Sequence, residues 1–276
     1  MFYCSEKFRY RANSGMSWIK AVLLSFVLIF NIAFAGETNR YALVIGNESY
    51  KIGALDNPIN DAKDISRYLD ELDFKVTTLL DAGSEDMENA ISNFYGKIKN
   101  SKAASVFYYA GHAMQINNVN YLLPVNVKVS SENALLSSSV SLNFLLKTLH
   151  QAESRANILI LDACRNNPFA ISSGGSTTSA VKGLAPVEAP PGTFVAYSTE
   201  PGRVASDGKG RNGTYTKHLL RHIKTAEDIE AMFKSVRKDV MRETNQKQIP
   251  WEHSSLYSTF LFKKNDAREL PTIPSF

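Results

Sequence analysis

Two apolar runs in this 276-residue chain each end at a residue able to handle a proton. Val106-Phe107-Tyr108-Tyr109-Ala110-Gly111 leads into His112. Asn157-Ile158-Leu159-Ile160-Leu161-Asp162-Ala163 leads into Cys164, and Asn166, Asn167 and Pro168 end the run as turn formers. A cysteine attacks as its thiolate, and a neighbouring histidine either stabilises that thiolate or takes the proton that frees it. The oxyanion formed by attack on a carbonyl needs backbone N–H donors, for which the amides of Cys164 and Ala113 are candidates. A Cys and a His 52 positions apart do not by themselves make a dyad, since either can be an ordinary core residue. The pair can meet only if the two runs are neighbouring strands.

The chain around them reads as strands alternating with helices. Tyr41 to Gly46 is a continuous apolar run ending at glycine, as suits a strand buried on both faces. Asn57 and Pro58 open a helix as N-cap and first-turn residue, with Ile59, Ala62, Ile65, Leu69 and Leu72 along one face. Phe74 to Leu80 is the next strand. Ser84 caps a second helix with Met87, Ile91, Phe94 and Ile98 as its stripe. Residues 104–110 form the strand before His112, and Tyr121 to Val125 a short hairpin strand, because Pro124 cannot donate to a central ladder. Leu142 to Leu149 is helical. Thr193 to Ser198 and Leu256 to Phe262 are further strands, with helices over 214–224 and 226–244 between them. Such alternation predicts an α/β fold with a mostly parallel central sheet of about six strands and helices on both faces. Sites in such sheets form at the carboxyl ends of the strands, where His112 and Cys164 both stand.

Composition narrows the function classes. The chain is 44% hydrophobic and 21% charged, with a net charge of +4. Three of those four charges fall in residues 1–35, where Lys7, Arg9, Arg11 and Lys20 face only Glu6. No basic stripe remains for nucleic acid. Residues 1–35 carry a signal-peptide pattern: Met16 to Lys20 as a short positive start, an apolar run from Ala21 to Phe30, and Ala33-Phe34-Ala35 as the cleavage site. Translation starts at Met1 or Met16, and the run is short for a membrane span of roughly 20 residues. Cleavage after Ala35 makes the protein periplasmic or secreted, with no membrane contact afterwards; an uncleaved N-terminal anchor is the alternative. The only cysteines are Cys4 and Cys164, so cleavage leaves one thiol and no internal disulfide.

Ser, Gly, Thr and Pro crowd residues 170–192, which read as a flexible linker, and residues 263–276 form a tail without periodicity. His218 and His222 are an i, i+4 pair on a helix, a spacing that can bind metal, but no Glu or Cys accompanies them. They read as surface residues, and His150 and His253 carry no signal.

Several motifs now converge. YALVIGNESY (41–50), NPINDAKDI (57–65), YYAGHAMQ (108–115), YLLPVN (121–126), LILDACRNNPF (159–169), AYSTEPGRVASDG (196–208) and QIPWEHSSL (248–256) stand in an order that resembles the bacterial caspase-like peptidases. These are relatives of metacaspases in the caspase–hemoglobinase clan, and Asp162-Ala163-Cys164 matches the caspase Q-A-C run with its histidine about 50 residues upstream. The resemblance covers residues 41–256. It implies a caspase–hemoglobinase fold over 36–262 and a cysteine endopeptidase with Cys164 as nucleophile and His112 as base. The amides of Cys164 and Ala113 would hold the oxyanion. Relatives usually carry glycine after the histidine, so Ala113 would cost about 1 kcal/mol or more if its backbone required φ > 0.

The resemblance also implies specificity. Caspases cut after Asp and line the S1 pocket with arginines; metacaspases cut after Arg or Lys and use acids. Asp162 and Asp61 stand where metacaspases carry those acids, and two carboxylates can hold a guanidinium bidentately. Asp61 could instead simply favour the start of its helix. Ser198, in Tyr197-Ser198-Thr199, resembles the segment that pairs with substrate backbone, although a plain core strand reads the same way. Lys182-Gly183 lies where caspases are cut into subunits and is a candidate self-cleavage site. Some metacaspases need calcium, but no acidic loop of the calcium-binding kind occurs in this sequence. The expected partners are protein or peptide substrates, with no cofactor, metal or nucleic acid. The alternative is a catalytically inactive caspase-like interaction module.

Overall fold

The computed structural model describes residues 39–51, 53–164, 184–200, 208 and 210–264. The expected signal segment 1–35, the Lys182-Gly183 bond and most of the 263–276 tail lie outside these residues. Among them no helix is long and apolar enough to cross a membrane.

Apolar runs with strong β propensity build the sheet. β1 (Arg40–Gly46) leads through helix α1 (Pro58–Asp70) to β2 (Lys75–Leu80), then through α2 (Ser84–Ile98) to β3 (Ala104–Ile116). A short excursion follows, with β4 (Val119–Leu122), α3 (Glu132–Ser137) and β5 (Val140–Ser141), before α4 (Leu142–Gln151) returns to β6 (Ala156–Cys164). β7 (Thr193–Tyr197), α5 (Thr214–His222), α6 (Ile229–Glu243) and β8 (Trp251–Ser254) complete the described chain. The sheet order is β2-β1-β3-β6-β7-β8, with β4 and β5 attached beyond the end of β3. Neighbours from β2 to β7 are parallel, and β8 is antiparallel to β7. The expected parallel sheet of about six strands is the one observed.

Strand parity sorts the core into two layers. On one face Ala42, Val44, Val106, Tyr108, Ile158, Ile160, Phe194 and Ala196 pack against α1, α5 and α6. On the other, Leu43, Ile45, Phe107, Tyr109, Leu159, Leu161 and Val195 pack against α2 and α4. A fully buried Ile, Leu or Phe is worth roughly 1.5–3 kcal/mol, so a one-residue slip of β6 would disrupt both layers. That slip would also carry Asp162 to the opposite face. Core packing therefore fixes where the chemistry points.

Three sequence expectations change. The strand read over Leu256 to Phe262 is absent; the edge strand is Trp251–Ser254. Phe260 and Phe262 are buried, and this side-chain burial imitates strand alternation. The backbone there pairs instead with Arg40, whose buried guanidinium donates to the carbonyls of Leu72 (3.0 Å), Leu261 and Phe262 and lies 4.6 Å from the Phe74 ring. Next, β3 runs six residues beyond Ala110 because Ala113–Ile116 pairs with β4. Last, the described part of the expected flexible linker, 184–192, is tied down. Ala185 exchanges two hydrogen bonds with the Asn120 side chain (2.7 and 2.8 Å), and the Val187 and Pro190 carbonyls accept from His253 and Ser255.

Candidate active site

β3 and β6 lie side by side in parallel, and their register ends on His112 opposite Cys164. Direct partners on adjacent strands are about 4.8 Å apart. The two runs singled out in the sequence are therefore neighbours, and their terminal residues are register partners.

The loop after β1 holds the histidine. His112 is 3% exposed. Its Nε2 lies 2.5 Å from the Gly53 carbonyl, which can only accept, so Nε2 carries the proton and Nδ1 is the basic nitrogen. The Tyr50 ring packs against the imidazole with centroids 4.5 Å apart. Gly111, just before the histidine, has φ +155°, and a Cβ there would come within 2.7 Å of both the Tyr50 and Tyr109 hydroxyls. Glycine is needed at 111, where backbone and phenols approach closely.

Ala113 is not among the residues with positive φ, so the strain considered from the sequence does not arise. The ladder also orients the Ala113 amide. His112 O accepts from Leu123 N on the β4 side, and Ala110 O accepts from Asn47 N on the same side of β3. Alternation along the strand then turns the N–H of Ala113 the other way, toward β6 and Cys164.

Two carboxylates stand near this pair of strand ends. Asp61, in the first turn of α1, is 3% exposed, and both of its oxygens accept from the Gly213 amide (3.0 and 3.3 Å) at the start of α5. Asp162 accepts from Thr216 Oγ1 (2.7 Å), whose own oxygen is 2.5 Å from the Tyr108 hydroxyl. Because the Thr216 proton goes to the carboxylate, Tyr108 donates to Thr216. A Cβ on Gly213 would lie 3.0 Å from an Asp61 oxygen and 3.5 Å from an Asp162 oxygen, so the two acids close on one point. Burial, and after it the Asp162 charge, push the Asp61 carboxyl up to about 8 against the pull of Asn212 and Gly213. An acid pair that cannot ionise fully alone favours a cation between its members. Outside it, Asp64 takes Arg211 (2.9 Å) and Asn212 (3.0 Å) at the rim.

Ser198 differs from its expected role. Its amide donates to Leu161 O (3.0 Å) and its carbonyl accepts from Gln248 (2.8 Å), so neither group is available to a substrate backbone. β7 is also flanked on both sides, by β6 and β8. The Ser198 hydroxyl is buried without a hydrogen-bond partner among the described residues, on the same parity as Asp162. His218 and His222 are likewise not plain surface residues. His218 is 3% exposed and bonds Glu243 (2.8 Å), while His222 bonds Asp239 (2.9 Å). Their acidic partners lie on α6, too far along the chain to be read as a local motif.

Sequence reasoning missed Tyr50, Gly53, Gly213 and Thr216. Tyr50 closed a motif but had no assigned role, and the other three act through contacts between distant segments.

A caspase-domain family model matches residues 39–261. The human mucosa-associated lymphoid tissue lymphoma translocation protein 1 is 32% identical over 130 residues, covering 46% of this chain and 15% of that protein. Its mouse homologue gives the same coverage and identity. This chain thus matches only a small part of those relatives. The crystal structure of caspase-1 from Spodoptera frugiperda superposes with a TM-score of 0.61 at 18% identity, over 83% of this chain and 92% of that one. That likeness shows the fold. With the family model spanning most of its length, the chain belongs to the caspase-domain family, peptidase C14.

Proposed function

We propose that the chain is a cysteine endopeptidase that cleaves after Arg or Lys. The observation that carries this reading is the β3–β6 register, which ends on His112 opposite Cys164 with Asp162 two residues before the cysteine. His112 Nδ1 takes the thiol proton and the sulfur attacks the scissile carbonyl carbon. The Ala113 and Cys164 amides receive the oxyanion. As the tetrahedral intermediate collapses, the imidazolium gives its proton to the leaving amine and a thioester remains. Water, deprotonated by His112, then attacks the thioester, releases the acid and restores the thiol. The Gly53 carbonyl keeps Nε2 protonated, so the proton cycles through Nδ1.

Asp61 and Asp162 supply the selectivity. A P1 guanidinium or ammonium entering between them would ionise both acids and form charge-assisted hydrogen bonds. An acidic P1 side chain would meet like charge in a buried site. Family membership supports protein or peptide substrates.

The test is hydrolysis of fluorogenic peptides ending in Arg, Lys or Asp by the purified chain, beside Cys164→Ala, with and without calcium. Turnover of the Arg and Lys peptides that vanishes in Cys164→Ala is expected. Faster turnover of the Asp peptide, or equal turnover by Cys164→Ala, would refute the reading.

A further inference from the structure

We propose that Tyr50 is a positioning residue for the histidine base, setting both its backbone and its ring; this rests on the dyad reading above. His112 and Leu123 face each other where β3 meets the end of β4. One direct bond of that pair is present, from Leu123 N to His112 O (3.0 Å). On the reciprocal side a hydroxyl is inserted. His112 N donates to Tyr50 Oη (3.0 Å), and Tyr50 Oη donates to Leu123 O (3.0 Å). Tyr109 Oη, 3.1 Å from the Tyr50 oxygen, donates its one proton between His112 O (2.7 Å) and Leu123 O (2.9 Å). Two phenols therefore hold the histidine by its own amide and carbonyl.

The same tyrosine also sets the ring, since its ring packs on the imidazole with centroids 4.5 Å apart at a 51° tilt, and Gly53, three residues on, accepts from Nε2. The loop carrying both is itself fixed. Asp81 Oδ1 accepts the Glu48 and Ser49 amides (2.9 Å each), and Glu48 accepts the Ile59 amide (3.1 Å) at the start of α1. A hydroxyl displacing a ladder bond, in a space kept open by the missing Cβ of Gly111, is a specific arrangement and more than generic packing. Its consequence is a fixed imidazole orientation toward Cys164, and a shift near 1 Å at such a group can cost about 100-fold in rate.

The experiment uses the full chain with Tyr50→Phe, Tyr50→Leu, Tyr109→Phe and His112→Ala. Three quantities are read: kcat and KM on an Arg peptide, the rate of iodoacetamide alkylation mapped to Cys164 between pH 5 and 9, and the melting temperature. Wild type should alkylate at low pH as a histidine-supported thiolate, and His112→Ala as an ordinary thiol. Tyr50→Phe, which keeps the ring, should lose about 10-fold in kcat at unchanged KM, with its alkylation profile moved part of the way to that of His112→Ala. Tyr50→Leu should lose about 100-fold and follow His112→Ala closely. Tyr109→Phe removes the phenol from the carbonyl side and should move the profile in the same direction, which keeps the test open if a Tyr50 variant does not fold. Identical profiles for wild type and His112→Ala would sink the dyad reading itself. A normal dyad profile that neither Tyr50→Phe nor Tyr109→Phe moves, whatever their melting temperatures, would overturn the role of Tyr50 alone.

Discussion

Replacing Asp61 by Asn should make the protein more stable and less active, and the stability gain should grow with pH. In the fold the Asp61 carboxyl is pushed from 3.8 to about 8, first by burial and then by Asp162. The unfolded chain ionises that group above its ordinary value, whereas the folded chain keeps its proton until about 8. Stability is therefore lost steadily as pH rises through this window, and the loss levels off above it. Each pH unit inside the window is worth on the order of 1 kcal/mol, so the cost grows by a few kcal/mol between pH 5 and pH 8. Asn cannot ionise, yet its side-chain oxygen can still accept the Gly213 amide. At about 2–4 °C per kcal/mol for a domain of this size, the melting-temperature gap over wild type should widen by roughly 10 °C across that range. The assay is thermal unfolding of both proteins at pH 5, 6, 7 and 8. His218 is pushed down by burial, but it is present in both proteins and cancels in the difference. Turnover of Arg peptides should fall by about 100-fold, because a neutral amide cannot neutralise a buried guanidinium. A gap that stays constant with pH would refute the account of the acid pair.

Other substitutions probe the same frame. Gly213→Ala places a methyl 3.0 Å from Asp61 and 3.5 Å from Asp162. It should cut kcat/KM on Arg peptides by about 10-fold or more with little change in melting temperature, as measured by paired kinetics and unfolding. Arg40→Met removes the donor to three backbone carbonyls around the C-terminal segment and should destabilise the protein by about 3 kcal/mol or more, read by urea unfolding.

Much of this site was visible in the sequence because it sits at the ends of buried strands. The runs before His112 and Cys164 are apolar enough to be recognised, and a parallel sheet places their ends on one edge. What the sequence hid are contacts that only the fold creates. Thr216 meets Asp162 across 54 residues, and Gly213 meets Asp61 across 152. No local periodicity encodes such pairs. His218 looked exposed because its acidic partner Glu243 lies on the next helix, 25 residues on. The Leu256 to Phe262 reading failed for a different reason. Two buried phenylalanines imitate strand alternation while Arg40 takes the backbone carbonyls that a strand would have offered. Ala113 shows the reverse case, in which a departure from the family pattern brings no backbone strain, the positive φ falling on Gly111 instead.

The central claim is that Cys164 attacks a peptide bond while the acid pair holds a basic P1 side chain. Incubating the full chain with a peptidyl-arginine acyloxymethyl ketone and mapping the adduct by mass spectrometry tests it most directly. One adduct per chain, on Cys164 and not on Cys4, slowed at least tenfold in His112→Ala and protected by Arg but not Asp peptides, is the predicted result. No adduct at Cys164, or faster labelling by the aspartyl analogue, would contradict it.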